Sequence, residues 1–194
     1  MGRPAQIDRG AILAASLQLA DEQGLAAVTM HAVADRLGVT PMALYRHVAN
    51  KADLLDGLVE SILLDVPLPD PADPWADRLR ALASGTRAAA RRHPQVFPLL
   101  LQRPAATAGA RRTRDVVYGA LREAGLAEAD VVQLERLLAT AVLGFAASEA
   151  GGRFAAHSIG QIDADFARLQ EMLAAAVAAA MLAAAAPTPV PHAT

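Results

Sequence analysis

There is no cysteine in the 194 residues, so disulfides, thiolate metal sites and cysteine nucleophiles are excluded. Aromatic residues are scarce, with one tryptophan, two tyrosines and four phenylalanines. Strand-length runs of β-branched residues are missing as well. These shortages argue against an all-β fold or a βαβ repeat. The longest apolar run, Met172 to Ala186, is fifteen residues and mostly alanine. That is below the roughly 20 residues that span a bilayer. The opening decapeptide MGRPAQIDRG holds no apolar stretch of signal-peptide length. A soluble, cytoplasmic chain with no membrane partner is expected. There is no phosphate-binding glycine loop and no HExxH pair. His93 and His157 stand without a serine or carboxylate at a diagnostic spacing. No enzyme, cofactor or metal is therefore expected.

What the chain has in abundance is alanine, 47 residues of it. Alanine is the best helix former and a poor strand former, so the fold is expected to be all-α. A net charge of −2 conceals strong segregation. Residues 1–51 carry a net +1 and residues 52–77 carry seven acids and no bases. Residues 78–122 hold ten arginines against Asp115 alone, and residues 123–194 carry a net −5. The arginine block suits a nucleic acid, or else pairing with acids on neighbouring helices or plain solvation of the surface; spread over several helices, it favours the latter readings. Asp163 and Asp165, near a helix start, read as dipole partners.

Punctuation divides the chain into helices. Asp8 caps a first helix, ended by Gly24 in the left-handed conformation. Thr29 caps a short helix, Met30 to Leu37, that Gly38 stops. Thr40 caps a third, with Pro41 at its first position, reaching about His47. Asn50 caps a fourth, with Asp53 in a box-like arrangement. The four prolines of VPLPDPADP, 66–74, mark a linker. Helices then follow from Trp75 to near Arg92, over about 107–124, and over about 128–150 and 161–186, with a short apolar piece at Val96 to Leu101. The organisation expected is a head at 1–51, a connecting helix at 52–65, a helical unit at 66–186 and a disordered tail at 187–194.

The segment TMHAVADRLGVTPMALYRHVANK, Thr29 to Lys51, carries the chemistry. Two short helices meet at a glycine-containing turn, the helix-turn-helix plan. Val33, Leu37, Val39, Leu44 and Val48 supply its shared core. Thr40, Met42, Ala43, Arg46 and His47 are left facing outward, as on a helix that reads base edges in the major groove. Arg46 is the long donor suited to guanine, and Met42 and Ala43 suit thymine methyls. Thr29, Tyr45 and Lys51 stand where phosphates are held. Tyr45 packing between helices and His31 as a plain surface histidine are the alternatives.

Residues 7–64 resemble the tetracycline-repressor (TetR) family: a leading helix, the unit VTMHAVADRLGV, then LYRHVANKADLLDGL. A weaker likeness to a tetracycline-repressor-type C-terminal domain runs through Arg103–Pro104 and VLGFAASEAG, 142–151. The resemblance implies an all-α, homodimeric transcriptional regulator. Residues 1–51 would be the DNA-binding domain, on a double-stranded DNA operator, and residues 66–186 the ligand-binding and dimerisation domain, whose small-molecule effector releases the operator. It assigns Thr29, Tyr45 and Lys51 to phosphates, and His31, Pro41, Met42 and Ala43 to bases. The chain departs from the family where relatives often place arginine or lysine, at His31 and Ala32. It also has no histidine near Leu99, so neither tetracycline nor magnesium is implied.

Trp75, Phe97, Leu100, Arg103, Tyr118, Phe145 and Glu149 are the candidates for a ligand pocket, with plain core packing as the alternative for each aromatic. Leu134, Leu138, Val142, Phe145, Leu169, Met172, Leu173, Val177 and Met181, on the helices at 128–150 and 161–186, are expected at the dimer interface. The rival readings are a transcriptional activator, or a ligand-sequestering protein whose head is vestigial.

Overall fold

A computed structural model describes residues 7–103, 105 and 107–185. Among these residues the fold is helical throughout. Helix α1 spans Arg9–Gln23, α2 Met30–Leu37, α3 Pro41–Leu44 and α4 Lys51–Leu64. Helix α5 spans Trp75–Arg92, α6 Leu99–Gln102, α7 Ala108–Glu123, α8 Glu128–Ala150 and α9 Ile159–Ala185. The tail at 187–194 and Pro104 lie outside the described residues.

Local chemistry sets the first boundaries. The Asp8 carboxylate accepts from the Ala11 N–H at 2.7 Å, which starts α1. The Thr29 hydroxyl accepts from the Ala32 N–H at 3.1 Å, which starts α2. At Gly38 the backbone is left-handed, φ 67° and ψ 33°. There Val39 N–H reaches back to the Ala34 carbonyl at 3.0 Å, and Gly38 N–H reaches Asp35 at 3.1 Å. This pair of bonds closes a helix and sends the chain off at an angle, which separates α2 from α3. Gly24 differs from expectation: its φ is positive but its ψ is 161°. The chain therefore leaves α1 extended and enters a short 3-10 turn at Leu25–Ala27.

Helix α3 is also shorter than expected. It ends at Leu44, and the next residues tighten into a turn in which His47 N–H bonds Leu44 at 2.9 Å. That turn brings Val48 into the core, and Arg9 caps the His47 carbonyl at 3.1 Å. The Asn50 side chain caps α4 by accepting from Asp53 N–H at 3.0 Å. The returning bond of the expected box is displaced by one residue: the Asp53 carboxylate accepts from Ala49 N–H at 2.8 Å.

One apolar cluster joins the head to the back of the chain. Ile12, Val33, Leu44, Leu54, Leu58 and Phe97 are all fully buried in it, and it extends to Ala146 of α8. Helix α4 is its centre, packed on α1 on one side and on α7 on the other. Two smaller clusters hold α5, α7, α8 and α9 together, one around Leu121 and Val177, the other around Val142 and Phe166.

Most of the arginine block is engaged by acids of the chain itself. Arg78 binds Glu123, Arg92 binds Asp65, Arg103 binds Asp56 and Arg122 binds Glu128. Arg112 donates to the carbonyls of Leu64 and Val66, fastening the proline-rich linker to α7. Asp163, expected as a dipole partner, instead pairs with Arg87 at 2.8 Å and Arg91 at 2.9 Å.

Of the residues expected at the dimer interface, Met172 is exposed but three turn into the protomer. Val177 is fully buried inside the protomer, and Leu138 and Val142 are buried beside it. Leu134, Leu173 and Met181 pack against the same cluster, and Leu169 against the next. In helices this rich in alanine both sides are apolar, so periodicity alone does not separate the inner face from the outer. The outer faces carry Leu137, Met172 and Leu182, each more than half exposed. Both α8 and α9 are long and apolar enough, by length and composition, to cross a membrane. The uninterrupted run counted from the sequence hid this, because the charges of α9, Asp163, Asp165, Arg168 and Glu171, fall in its first half.

Candidate nucleic-acid interface and ligand cavity

The outer surface of α3 and its following turn is built by what lies beneath it. Leu44 and Val48 point inward and are essentially inaccessible. Their neighbours therefore point out: Thr40, Met42, Tyr45, Arg46 and His47 are all exposed. Pro41 and Ala43 are half-buried between the two sets. Met42 is 73% exposed, a large apolar side chain held in water. Thr40 makes no capping hydrogen bond, so its hydroxyl remains available. His31 and Lys51 are exposed on the first turns of α2 and α4. Thr29 is exposed and already engaged as the cap of α2.

Charge separates the head's cations into two kinds. Arg9 is bound to Asp53 at 2.7 Å, and Arg36 to Glu22 at Nη1 by a 2.8 Å hydrogen bond. Arg46 and Lys51, among the described residues, make no ion pair within the chain. The first two fasten α1 to α4 and α2 to α1; the second two lie on the exposed face. The hydrogen bond from Arg9, aided by the Ala49 N–H, holds the Asp53 carboxyl below its ordinary value. A lowered carboxyl stabilises the fold above its unfolded pKa and loses that stabilisation as pH falls through the folded one. Asp53→Asn is expected to destabilise the head by about 1–2 kcal/mol at pH 7, less at pH 3. Denaturant melts at the two pH values measure this, and equal losses at both would contradict the role given to the charge.

Behind the head lies a cavity of about 290 Å³, walled by α4, α5, α7, α8 and α9. Of the sequence-predicted ligand residues, Trp75, Leu100 and Arg103 line it. The others do not. Phe97 is fully buried in the core shared with the head. Tyr118 lies against the guanidinium groups of Arg114 and Arg122, at 5.9 and 5.4 Å. Phe145 packs between Phe154 and Phe166, with ring centroids 5.2 Å from each. Glu149 is held in an ion cluster by Arg87 at 2.6 Å and Arg91 at 2.7 Å. Its burial pushes the carboxyl up, and the hydrogen bonds from both arginines outweigh this and leave it below the ordinary value.

The sequence reading missed Glu135 and Arg114, which face the cavity, and assigned Leu138, Val142 and Leu173 elsewhere although they wall it. The signal for Glu135 was present: Val131, Glu135, Leu138 and Val142 fall on one stripe of α8, and an acid within an apolar stripe marks a polar interior. Arg103 lines the cavity and grips α4 as well, donating to Asp56 at 2.7 Å and to the Ala52 carbonyl at 3.0 Å. Cavity wall and head are thus joined through α4.

Residues 12–58 match the family described as bacterial regulatory proteins, tetR family, and residues 79–175 match the tetracyclin repressor-like C-terminal domain. The chain belongs to the TetR family. The HTH-type transcriptional repressor DrrR1 of Streptomyces coeruleorubidus is 32% identical over 163 residues, covering 82% of this chain and 60% of that protein. This TetR-family chain thus spans about three-fifths of the curated relatives it matches first, 60% and 59% of their lengths. Among solved structures, apo ActR from Streptomyces coelicolor has a TM-score of 0.82 at 21% identity, covering 95% of this chain and 100% of that one. BioQ from Mycobacterium smegmatis has a TM-score of 0.78 at 25% identity, covering 90% and 99%. ActR has been solved with actinorhodin, and a protein named BioQ, 29% identical to this chain with a TM-score of 0.68, with its double-stranded DNA operator.

Proposed function

We propose that this protein is a ligand-responsive transcriptional repressor that binds a palindromic operator as a homodimer in the cytoplasm and has no catalytic activity. The observation that carries the reading is the pairing of two features through one helix. The outward face of α3 and its following turn offers an unpaired Arg46 and an exposed Met42, and α4, bound to that head by Arg9–Asp53, is also a wall of the cavity. An arginine free of carboxylates suits bidentate contact with guanine, and an exposed methionine suits a thymine methyl. Lys51, Thr40 and Tyr45 surround them with groups suited to phosphates.

The coupling follows from the contacts. A ligand that fills the cavity presses on Val59 and Leu63 of α4 and on Arg103, which holds the start of that helix. It shifts the head only to the extent that it binds the displaced arrangement better than the operator-bound one.

The exposed outer faces of α8 and α9 are the proposed dimer contact, with Leu137, Met172 and Leu182 as its large side chains. Two-fold symmetry would set the two α3 faces about 34–36 Å apart, one duplex turn. Selection from randomised duplexes tests the reading: a palindrome with half-sites at that spacing is expected, and an asymmetric or absent consensus contradicts it. Met172→Glu is expected to give monomers in sedimentation and to lose the palindrome. A dimer that persists would place the interface elsewhere.

A further inference from the structure

We propose that the cavity selects an uncharged, largely apolar molecule whose polar edge carries both a hydrogen-bond donor, directed to the Glu135 carboxylate, and an acceptor, directed to the Arg114 guanidinium. The inference rests on the reading of this cavity as the effector site and adds the chemistry of what enters it.

Four charged side chains stand in the cavity wall: Arg80, Arg103, Arg114 and Glu135. Two are already satisfied, Arg80 by Asp77 and Arg103 by Asp56. Gln170 is committed to the Arg80 carbonyl at 2.9 Å and the Ser84 hydroxyl at 3.1 Å. The other two charges are not. Glu135 makes no hydrogen bond and no ion pair among the described residues, and burial pushes its carboxyl above the ordinary value against the pull of Arg114 and Arg136. The Nε of Arg114 is buried without a hydrogen-bond partner, while its guanidinium lies over Tyr118.

A buried polar atom left unpaired, such as Arg114 Nε, is costly and points to a missing partner, and the half-buried Glu135 carboxylate loses its water under a ligand that offers it no donor. Here the two are of opposite kind, an acceptor and a donor, with charges that cancel. A ligand bearing only a cation would satisfy Glu135 and be repelled by Arg114; one bearing only an anion would do the reverse. A hydrocarbon would seal both away from water without replacing their hydrogen bonds. A neutral group that donates and accepts, such as a carboxamide or a hydroxyl beside a carbonyl, satisfies both. The aliphatic remainder of the wall, Val59, Leu138 and Val142 among it, takes the apolar body. The volume lies at the small end of ligand pockets, which fits a molecule of one to three rings.

Four probes of one shape test this: 2-naphthamide, 2-naphthoate, 2-naphthylmethylamine and 2-methylnaphthalene. Calorimetric titration gives each affinity, and Trp75, the chain's single tryptophan and a wall residue, reports occupancy by fluorescence. The amide is expected to bind about tenfold tighter than each of the other three, one added hydrogen bond's worth. Glu135→Leu is expected to cost the amide most of that advantage and to leave 2-methylnaphthalene unchanged. Equal affinity for all four, a preference for the acid or the amine, or no binding of the amide overturns the inference. Ala139→Trp, which fills the cavity from α8, separates the two levels. Loss of all binding in that variant, with no amide preference in the wild type, sinks this inference alone. Binding unchanged by the filling sinks the effector site itself.

Discussion

Glu149→Ala is expected to lower stability by about 3 kcal/mol or slightly more, the range for breaking a buried ion pair on one side. The carboxylate is 8% exposed and receives both Nε and Nη2 of Arg87, at 2.6 and 2.9 Å, together with Arg91. Arg87 is 9% exposed and lies 4.6 Å from the centre of the Phe166 ring. Its remaining acid after the substitution is Asp163, which is half exposed. The guanidinium of Arg87 is thereby left buried with a weaker partner, while α5, α8 and α9 lose the group that ties them together. The variant in which Arg87→Met and Glu149→Leu are combined removes the charges jointly and is expected to recover most of the loss. Denaturant melts of the three proteins decide: a loss under about 1 kcal/mol for Glu149→Ala would show the cluster to be a surface pair in effect. Because the Glu149 carboxyl is held below its ordinary value, its stabilisation is complete above the unfolded pKa. The Glu149→Ala deficit is therefore expected to shrink as pH falls through the lowered folded value.

The second large effect concerns the DNA face. Arg46→Ala is expected to weaken binding to the operator by about 1–3 kcal/mol and to relax base preference at one position of each half-site. Arg46→Lys keeps the charge but not the fork, so it should retain phosphate attraction and still lose discrimination at that base. Arg36→Ala is the control. Arg36 has the same charge and sits in the same head, yet it is spent on Glu22 of α1. Its removal is expected to leave base preference intact. Equal effects of the two alanine variants on specificity would show that net charge, and not the α3 face, governs recognition. Quantitative footprinting across single-base operator variants reads the difference.

What was legible in the sequence was what depends on a few adjacent residues. The caps at Asp8, Thr29 and Asn50 and the left-handed Gly38 need only a side chain within three positions or a residue without a Cβ. The α3 face was legible because Leu44 and Val48 bury themselves and so dictate what remains outside. What failed depends on which helix lies opposite. Val177 and Leu138 are apolar in sequence, and so is Met172, but only packing decides that the first two turn inward and the third outward. Aromaticity alone does not mark a ligand wall, since Phe97, Tyr118 and Phe145 have partners in the core or among arginines. The cavity was left to aliphatic side chains around an acid on α8. The pairing of Glu149 is invisible in the sequence because its partners, Arg87 and Arg91, lie 62 and 58 residues away along the chain.

The central claim is that the exposed side of α3 reads a duplex while α4 reports what fills the cavity behind it. Its most direct measurement is the affinity of the purified protein for its selected palindrome and for a scrambled duplex of equal length at 150 mM salt. The account predicts at least a thousandfold preference for the palindrome, the lower bound for specific recognition. Affinities for the two duplexes within about threefold of each other would contradict it.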